Sequence, residues 1–167
     1  MRKIIVNGEL VADHWITVHP TSTGELEVPE TGDVLVSLDT WQAKRDELIA
    51  HNGKVGLLVN GDAELSDFVD DLSHINLIAI NFPKFADGRG YSLARMIRER
   101  TTFGGEIRAV GDVLRDQLFY LHRCGFNAFV VREDRDVEDA LNAFKDFTIT
   151  YQADVHDDRP IYHRRPA

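Results

Sequence analysis

The chain alternates between short apolar runs and longer stretches in which apolar residues recur with helical spacing. Five apolar runs of strand length occupy residues 33–38, 55–60, 77–82, 106–111 and 128–133. A stretch of helical length follows each of them. The runs show almost no polar alternation, which is typical of strands that are buried on both faces. The pattern therefore predicts five strand–helix units.

Repeated units of this kind predict an α/β fold with an open, mostly parallel sheet, because the crossovers between parallel strands are right-handed. Five units are too few to close an eight-stranded barrel. The leading arrangement is a doubly wound sheet with helices on both faces. A half-barrel that pairs with a second copy is the alternative.

The N-terminal part of the chain has a different pattern. Residues 3–6 and 15–18 have the composition of short strands, and Asn7-Gly8 is a turn signal, so we predict a short β-hairpin or a small edge addition. Residues 19–32 are rich in Pro, Gly, Thr and Ser and predict a linker. The expected organisation is a hairpin and linker over 1–32, an α/β domain over 33–150 and an extended C-terminal tail over 151–167.

Composition limits the class of protein. With 43% hydrophobic and 28% charged residues the chain has a globular balance, and no apolar run approaches the roughly 20 residues needed to span a bilayer. The single cysteine, Cys124, excludes an intramolecular disulfide and favours a reducing compartment. The net charge of −9 argues against nucleic acid, because phosphate-backbone binding requires a basic surface. We therefore expect a cytoplasmic protein with neither a nucleic-acid nor a membrane partner.

The stretch FPKFADGRGYSLARMIR, which follows the third apolar run, is the strongest candidate for a site. Ligands of parallel sheets bind beyond the carboxyl ends of the strands, and this loop is longer than the two to six residues that are usual there. Gly88 and Gly90 flank Arg89, a pattern that permits positive φ angles and lets backbone amides approach a ligand. Ser92 and Arg95 follow at a helix N-terminus, which attracts anions. We predict that the loop binds a small oxyanion or a partner.

Asp112 follows the fourth apolar run. It is predicted to cap the next helix, and it could also pair with Arg89. Two glycines and a later carboxylate also resemble a dinucleotide-binding loop that lacks its third glycine, so a nicotinamide or flavin nucleotide is the alternative to a chain without a cofactor. The candidate ligand- or partner-binding residues are Asp87, Gly88, Arg89, Gly90, Tyr91, Ser92, Arg95 and Asp112.

Other chemistry has little support in the sequence. The seven histidines are scattered and share no metal-ligand spacing, so no metal site is expected. No nucleophile elbow or zincin pattern occurs. Cys124 is expected to be a small core residue rather than a nucleophile. The sequence therefore leaves open whether the protein is an enzyme.

The stretches FPKFADGRGYSLARMIRER and GGEIRAVGDVLRDQLFYLHRCGFNAF resemble a bacterial family, the domain-of-unknown-function family nine-three-four. The resemblance covers the chain from about residue 34 to 147. Its members are often labelled probable oxidoreductases and are commonly encoded beside sulfite reductase and other sulfate-assimilation genes. The resemblance therefore implies a role in reducing sulfite on the way to cysteine, with sulfite reductase or its electron donor as partner. It supplies no catalytic residue.

Two hypotheses follow. In the first, the chain is an accessory or binding protein of assimilatory sulfite reduction, and the loop at 82–95 holds a partner or a small oxyanion. In the second, the chain is an oxidoreductase that binds a nucleotide cofactor at the same loop, with Asp112 on the ribose. A homo-oligomer is compatible with both, and the N-terminal hairpin and the tail are its expected contacts.

Overall fold

The computed structural model describes residues 1–84, 87–142 and 144. The predicted tail at 151–167 lies outside these residues. The strands are β1 (Lys3–Val6), β2 (Glu9–Ala12), β3 (Ile16–Thr17), β4 (Val34–Ser37), β5 (Val55–Asn60), β6 (Leu77–Phe82), β7 (Glu106–Gly111) and β8 (Ala128–Phe129). The helices are α1 (Leu38–Ala43), α2 (Arg45–Ile49), α3 (Arg89–Arg100), α4 (Arg115–Arg123) and α5 (Val137–Asn142), with short 3₁₀ helices at Leu65–Asp67 and Val69–His74.

All eight strands belong to one sheet, in the spatial order β2-β1-β8-β7-β6-β5-β4-β3. Neighbours from β3 to β8 are parallel, whereas β1 is antiparallel to both β2 and β8. The order from β3 to β8 is sequential and lacks the reversal of a doubly wound sheet. The open, mostly parallel sheet is thus confirmed, and the half-barrel is the arrangement that the chain adopts.

The helices cover one face of the sheet rather than both. Ile78 and Ile80 of β6 pack in a large apolar cluster that includes helix residues such as Leu93, whereas the alternate residues Leu77 and Ala79 belong to a small second cluster. No helix residue contributes to this second cluster within the described part of the chain. The reason is topological, because right-handed crossovers between sequential strands all fall on the same side.

The N-terminal residues extend both edges of the sheet. Asn7 and Gly8, with φ angles of 51° and 80°, form the turn between β1 and β2, which confirms the predicted hairpin. The next strand, β3, does not join this hairpin. It pairs in parallel with β4 at the opposite edge, with Ile16 opposite Val34. A hairpin and an edge addition therefore both occur.

The segment after β5 differs from the predicted helix, because it forms only the two 3₁₀ helices. Residues 61–76 carry five carboxylates and neither Lys nor Arg. Like charges three or four residues apart destabilise an α-helix, and Asp and Ser are poor helix formers. Charge repulsion within the segment accounts for the difference.

A buried arginine lies on the concave face, the one that the helices leave uncovered. Arg108 of β7 is opposite Ala79 in the sheet register, and its side chain is only 3% exposed. Its Nη1 donates to Asp13 Oδ1 at 3.0 Å, and its Nε donates to Glu106 Oε1 at 2.6 Å. Because Asp13 directly follows β2 and Glu106 lies on β7 itself, the ion pair with Asp13 is the one that ties the N-terminal hairpin to the sheet.

Candidate functional site

The carboxyl ends of β4 to β8 lie along one side of the sheet, which we name the carboxyl edge. Asn81, near the end of β6, donates through Nδ2 to Oδ1 of Asn60 at the end of β5, at 3.2 Å. A cavity of about 210 Å³ lies at the ends of β4 and β5 and is lined in part by Asp39 and Asp62. The edge where ligands of parallel sheets bind is therefore polar and rich in carboxylates.

Arg89, the first residue of α3, lies between two carboxylates at this edge. Its Nη2 and Nε donate to Asp87 at 2.8 Å and 3.0 Å, and its Nη1 lies 3.5 Å from Asp62 Oδ2. Asp62 follows β5, whereas Asp87 and Arg89 follow β6, so the contacts join the loops of neighbouring strands. The Arg89 side chain is nevertheless 62% exposed.

Asp87 already occupies the helix terminus where an anion was predicted. Hydrogen bonds from the side chain and the backbone N–H of Arg89 lower the pKa of Asp87 to about 2. The backbone bond, at 3.2 Å, satisfies the first N–H of α3. A carboxylate of the chain itself therefore takes the place of an external anion at this terminus.

Gly88 and Gly90 do not form the predicted backbone cradle. Gly88 has a φ of −86° and Gly90 is helical, so neither is in the left-handed region. Gly90 is instead required for packing: a Cβ there would lie 2.7 Å from Phe82 Cζ, and a Cβ on Gly61 would lie 2.7 Å from the Gly90 nitrogen. The left-handed glycine of this edge is Gly111, with a φ of 93°, at the end of β7.

Asp112 belongs to a second arginine-centred group at the same edge. Its Oδ1 accepts a hydrogen bond from Arg132 Nη1 at 2.9 Å, and Arg132 Nη2 also donates to Asp134 at 2.9 Å. The predicted pair between Asp112 and Arg89 does not form, because Arg89 pairs with carboxylates of the two preceding strand loops. We name Asp62, Asp87, Arg89, Asp112, Arg132 and Asp134 the rim network.

The prediction that Asp112 caps α4 was wrong. The helix begins at Arg115, and its N-cap is Leu114. The Leu114 N–H donates to Gln117 Oε1 at 3.0 Å, so a side chain inside the helix satisfies the terminus. Asp112 lies too early in the chain for this role.

Tyr91 packs against α4 and not within the rim network. Its hydroxyl accepts a hydrogen bond from Gln117 Nε2 at 3.1 Å. Its ring centroid lies 5.1 Å from that of Tyr120 and 5.3 Å from that of Phe82. Burial raises the pKa of Tyr91. The residue links the third strand loop to the surface of α4.

Ser92 and Arg95 also lie outside the rim network. Ser92 is exposed, and Arg95 Nε donates to Glu99 Oε1 at 2.8 Å, one helical turn further along α3. The structure thus divides the candidate residues into two groups. Asp87 to Gly90 lie at the carboxyl edge, together with Asp112, whereas Tyr91 packs against α4, and Ser92 and Arg95 lie on the exposed surface of α3.

The candidate set omitted residues that complete both groups. Asp62 lies in the loop after β5, and Arg132 and Asp134 lie in the loop after β8, and a position after a strand was the available signal for them. Tyr120 is an aromatic residue among the polar positions of its helix, which was a signal for an exposed ring. Gln117 gave no signal in the sequence, because its role depends on the position of Tyr91.

Several described residues of this loop are unfavourable for a nucleotide phosphate. The first N–H of α3 is bonded to Asp87, and the Gly90 backbone packs against Gly61. A phosphate would also approach the carboxylates of Asp62 and Asp87, which carry the same sign of charge. Asp112, the proposed ribose ligand, is hydrogen-bonded to Arg132. Among the described residues of the loop, the N–H groups of Arg89 and Gly90 are thus not open in the way that a phosphate-binding turn requires.

Other parts of the described structure are weaker candidates for a functional site. A cavity of about 670 Å³ lies at the opposite edge of the sheet, between the second 3₁₀ helix and the loop that precedes β7. Asp70 and Arg100 are its two charged residues. Cys124 is buried, as predicted. Within the described residues, no group of three or more His, Cys, Asp or Glu is arranged to hold a metal ion, and no helix is long and apolar enough to cross a membrane.

Comparison with known proteins supports the family resemblance. The model of a family described as "Bacterial protein of unknown function (DUF934)" matches residues 56–162. A search of curated proteins and a search of solved structures each found no match. The matched segment begins in β5 and contains all six residues of the rim network. Since the match spans more than half of the sequence, the chain belongs to this bacterial family of unknown function.

Proposed function

We propose that this protein is an accessory protein of assimilatory sulfite reduction that binds a protein partner at its carboxyl edge. The observation that carries the proposal is the position of Arg89, which is 62% exposed and held by carboxylates from two strand loops. Ion pairs of an exposed side chain contribute little to stability. The rim network therefore determines the charge pattern of the surface more than it stabilises the fold. Charges fixed on a surface give orientation and specificity to association.

A protein partner fits the rim network better than a small oxyanion does. An oxyanion would have to displace Asp87 from Arg89 and approach Asp62, both of which are negative. A protein surface can present basic groups to the carboxylates and an acidic group to Arg89 at the same time. The geometry thus favours the partner-binding branch of the first hypothesis.

The assignment to sulfite reduction rests on the family resemblance. It makes sulfite reductase or its electron donor the proposed partner, and the cytoplasm the proposed location. On this proposal the chain needs no cofactor of its own, because the partner supplies the redox chemistry. The proposal also predicts which metabolic step fails when the protein is lost.

Growth of a deletion strain tests the metabolic assignment. Sulfate, sulfite, sulfide and cysteine are supplied in turn as the sole sulfur source. We expect slow growth on sulfate and sulfite, and normal growth on sulfide and cysteine, because the last two enter after the reduction step. Equal growth on all four sources would contradict the proposal.

Binding measurements with purified sulfite reductase and its electron donor test the surface. We expect Arg89→Ala to weaken binding by at least tenfold, as observed by titration calorimetry. Arg45→Ala is the matched control, since Arg45 is another exposed arginine in an ion pair but contacts Asp71, away from the carboxyl edge. Equal affinity of both variants for the partner would exclude the rim network as the docking surface.

A further inference from the structure

The exposed surface shared by α3 and α4 carries a second feature that is independent of the rim network. We name Ser92, Arg95, Glu99 and Tyr120 the α3–α4 face. Tyr120 is 51% exposed and is the one exposed Phe, Tyr or Trp side chain among the described residues. A large exposed ring next to an arginine is the type of group that dominates binding energy at protein interfaces.

Tyr120 is held in place by the residues beneath it. Its ring packs at 5.1 Å from that of Tyr91. Tyr91 is fixed in turn by the hydrogen bond from Gln117 and by the edge contact with Phe82. A side chain that is already ordered loses little conformational entropy when it is covered, so it is well suited to an interface.

The two charged residues that α3 contributes to this face balance each other, although the chain as a whole carries −9. Arg95 and Glu99 are 47% and 49% exposed and form an ion pair within α3. An exposed pair of this kind contributes little to stability, and the order with Arg before Glu is the weaker one. Both side chains can therefore exchange this contact for one with a neighbouring molecule at little cost.

We propose that the α3–α4 face binds the same face of a second copy of this chain in a two-fold symmetric dimer. Two-fold symmetry places a surface opposite itself, so a self-binding face must be self-complementary. When two α3 helices pack antiparallel, Arg95 of each copy lies opposite Glu99 of the other. The two Tyr120 rings supply the apolar contact beside these pairs.

Charge complementarity selects a second copy over an unrelated partner. Arg95 and Glu99 give α3 one exposed charge of each sign, which a second copy in the antiparallel arrangement matches one for one. Two copies of a chain of −9 repel each other least where the facing surfaces are neutral. At physiological ionic strength the Debye length is about 8 Å, so the carboxylates on more distant surfaces are largely screened.

Two charge-reversal variants test the dimer. Molar mass is measured by light scattering after size-exclusion chromatography, over a range of protein concentrations. We expect the unchanged protein to have the mass of a dimer. Arg95→Glu and Glu99→Arg should each raise the dimer dissociation constant at least tenfold, because they place like charges opposite each other.

An equimolar mixture of the two variants should recover the dimer mass. One variant carries only acidic and the other only basic side chains at the two positions, so they complement each other across the two-fold axis. Tyr120→Ser should also dissociate the dimer. Ile49→Ser, which changes an exposed apolar residue on α2, is the control and should leave the mass unchanged.

Three results would overturn this proposal. The first is a monomeric mass for the unchanged protein at every concentration. A protein that uses this face only for a different partner would also give this result. The second is a dimer that persists in all three variants of the α3–α4 face. The third is a mixture of the two charge variants that stays monomeric while both variants melt like the unchanged protein. None of these results bears on growth with sulfate, so the dimer and the proposed function can fail separately.

Discussion

Arg89 and Arg108 each lie between two carboxylates, but their surroundings are opposite. Arg89 is 62% exposed at the carboxyl edge, and one of its carboxylates lies 3.5 Å away. Arg108 is 3% exposed on the concave face, and both of its contacts are 3.0 Å or shorter. A buried charge must keep its partners because desolvation is costly, whereas water replaces the partners of an exposed charge. The same arrangement therefore stabilises the fold in one place and leaves an exposed charge that can exchange its partners in the other.

Removal of Arg108 should give the largest effect. Arg108→Ala leaves Asp13 and Glu106 without their partner on a largely buried face, and we expect the free energy of unfolding to fall by about 3–5 kcal/mol. Urea denaturation measures this loss. Arg108→Met keeps most of the side-chain volume and is the control for an empty cavity. If the Met variant were as stable as the unchanged protein, packing rather than charge would account for the role of Arg108.

The next largest effect on stability should be a difference between alanine substitutions at the two glycines that flank Arg89. A Cβ at Gly90 would overlap Phe82, so Gly90→Ala should lower the free energy of unfolding by about 1–3 kcal/mol. No atom lies within 4 Å of a Cβ at Gly88, where φ is −86°, so Gly88→Ala should leave stability unchanged or raise it by about 0.4–1 kcal/mol. Thermal or urea unfolding compares the two. Equal losses would contradict the packing role of Gly90.

Replacement of Arg89 should give the smallest change in stability but a clear change in titration. Arg89→Gln should raise the pKa of Asp87 from about 2 toward its ordinary value of 3.8, as measured by NMR during a pH titration. Because the folded pKa is depressed, this stabilising contribution is present above about pH 4 and is lost as pH falls toward 2. The unchanged protein should therefore lose stability more steeply than the variant between pH 4 and pH 2. An Asp87 titration that is the same in both proteins would show that Arg89 does not hold this carboxylate.

Local pattern predicted the central strands well and the loop conformations poorly, and of the predicted strand at 128–133 only Ala128–Phe129 is a strand. The apolar runs at 55–60, 77–82 and 106–111 have the same bounds as β5, β6 and β7, because fully buried parallel strands need continuous apolar residues. The positive φ angles expected at Gly88 and Gly90 do not occur. Glycine is compatible with a left-handed turn and also with close packing, and only the neighbouring chain decides between the two.

The candidate site was predicted in part. Its position after β6, and the membership of Asp87, Arg89 and Asp112, followed from the rule that polar residues collect at the carboxyl ends of parallel strands. This rule did not predict the hydrogen-bond partners of these residues. Asp112 pairs with Arg132 from the next strand loop, and this choice depends on which strands are neighbours in the sheet.

The sequence by itself determined that this protein is an α/β chain with an open parallel sheet and a polar edge after its third long strand. These properties depend on the local order of apolar and polar residues, which each segment carries on its own. The tertiary structure alone decided that the strand order is sequential, that the helices cover one face, and that Arg108 is buried while Arg89 is exposed. Those outcomes depend on contacts between distant segments, such as that of Arg108 with Asp13, 95 residues away. The environment of a side chain is set by the residues that folding brings against it, and for these two arginines that environment separates a structural charge from one available for recognition.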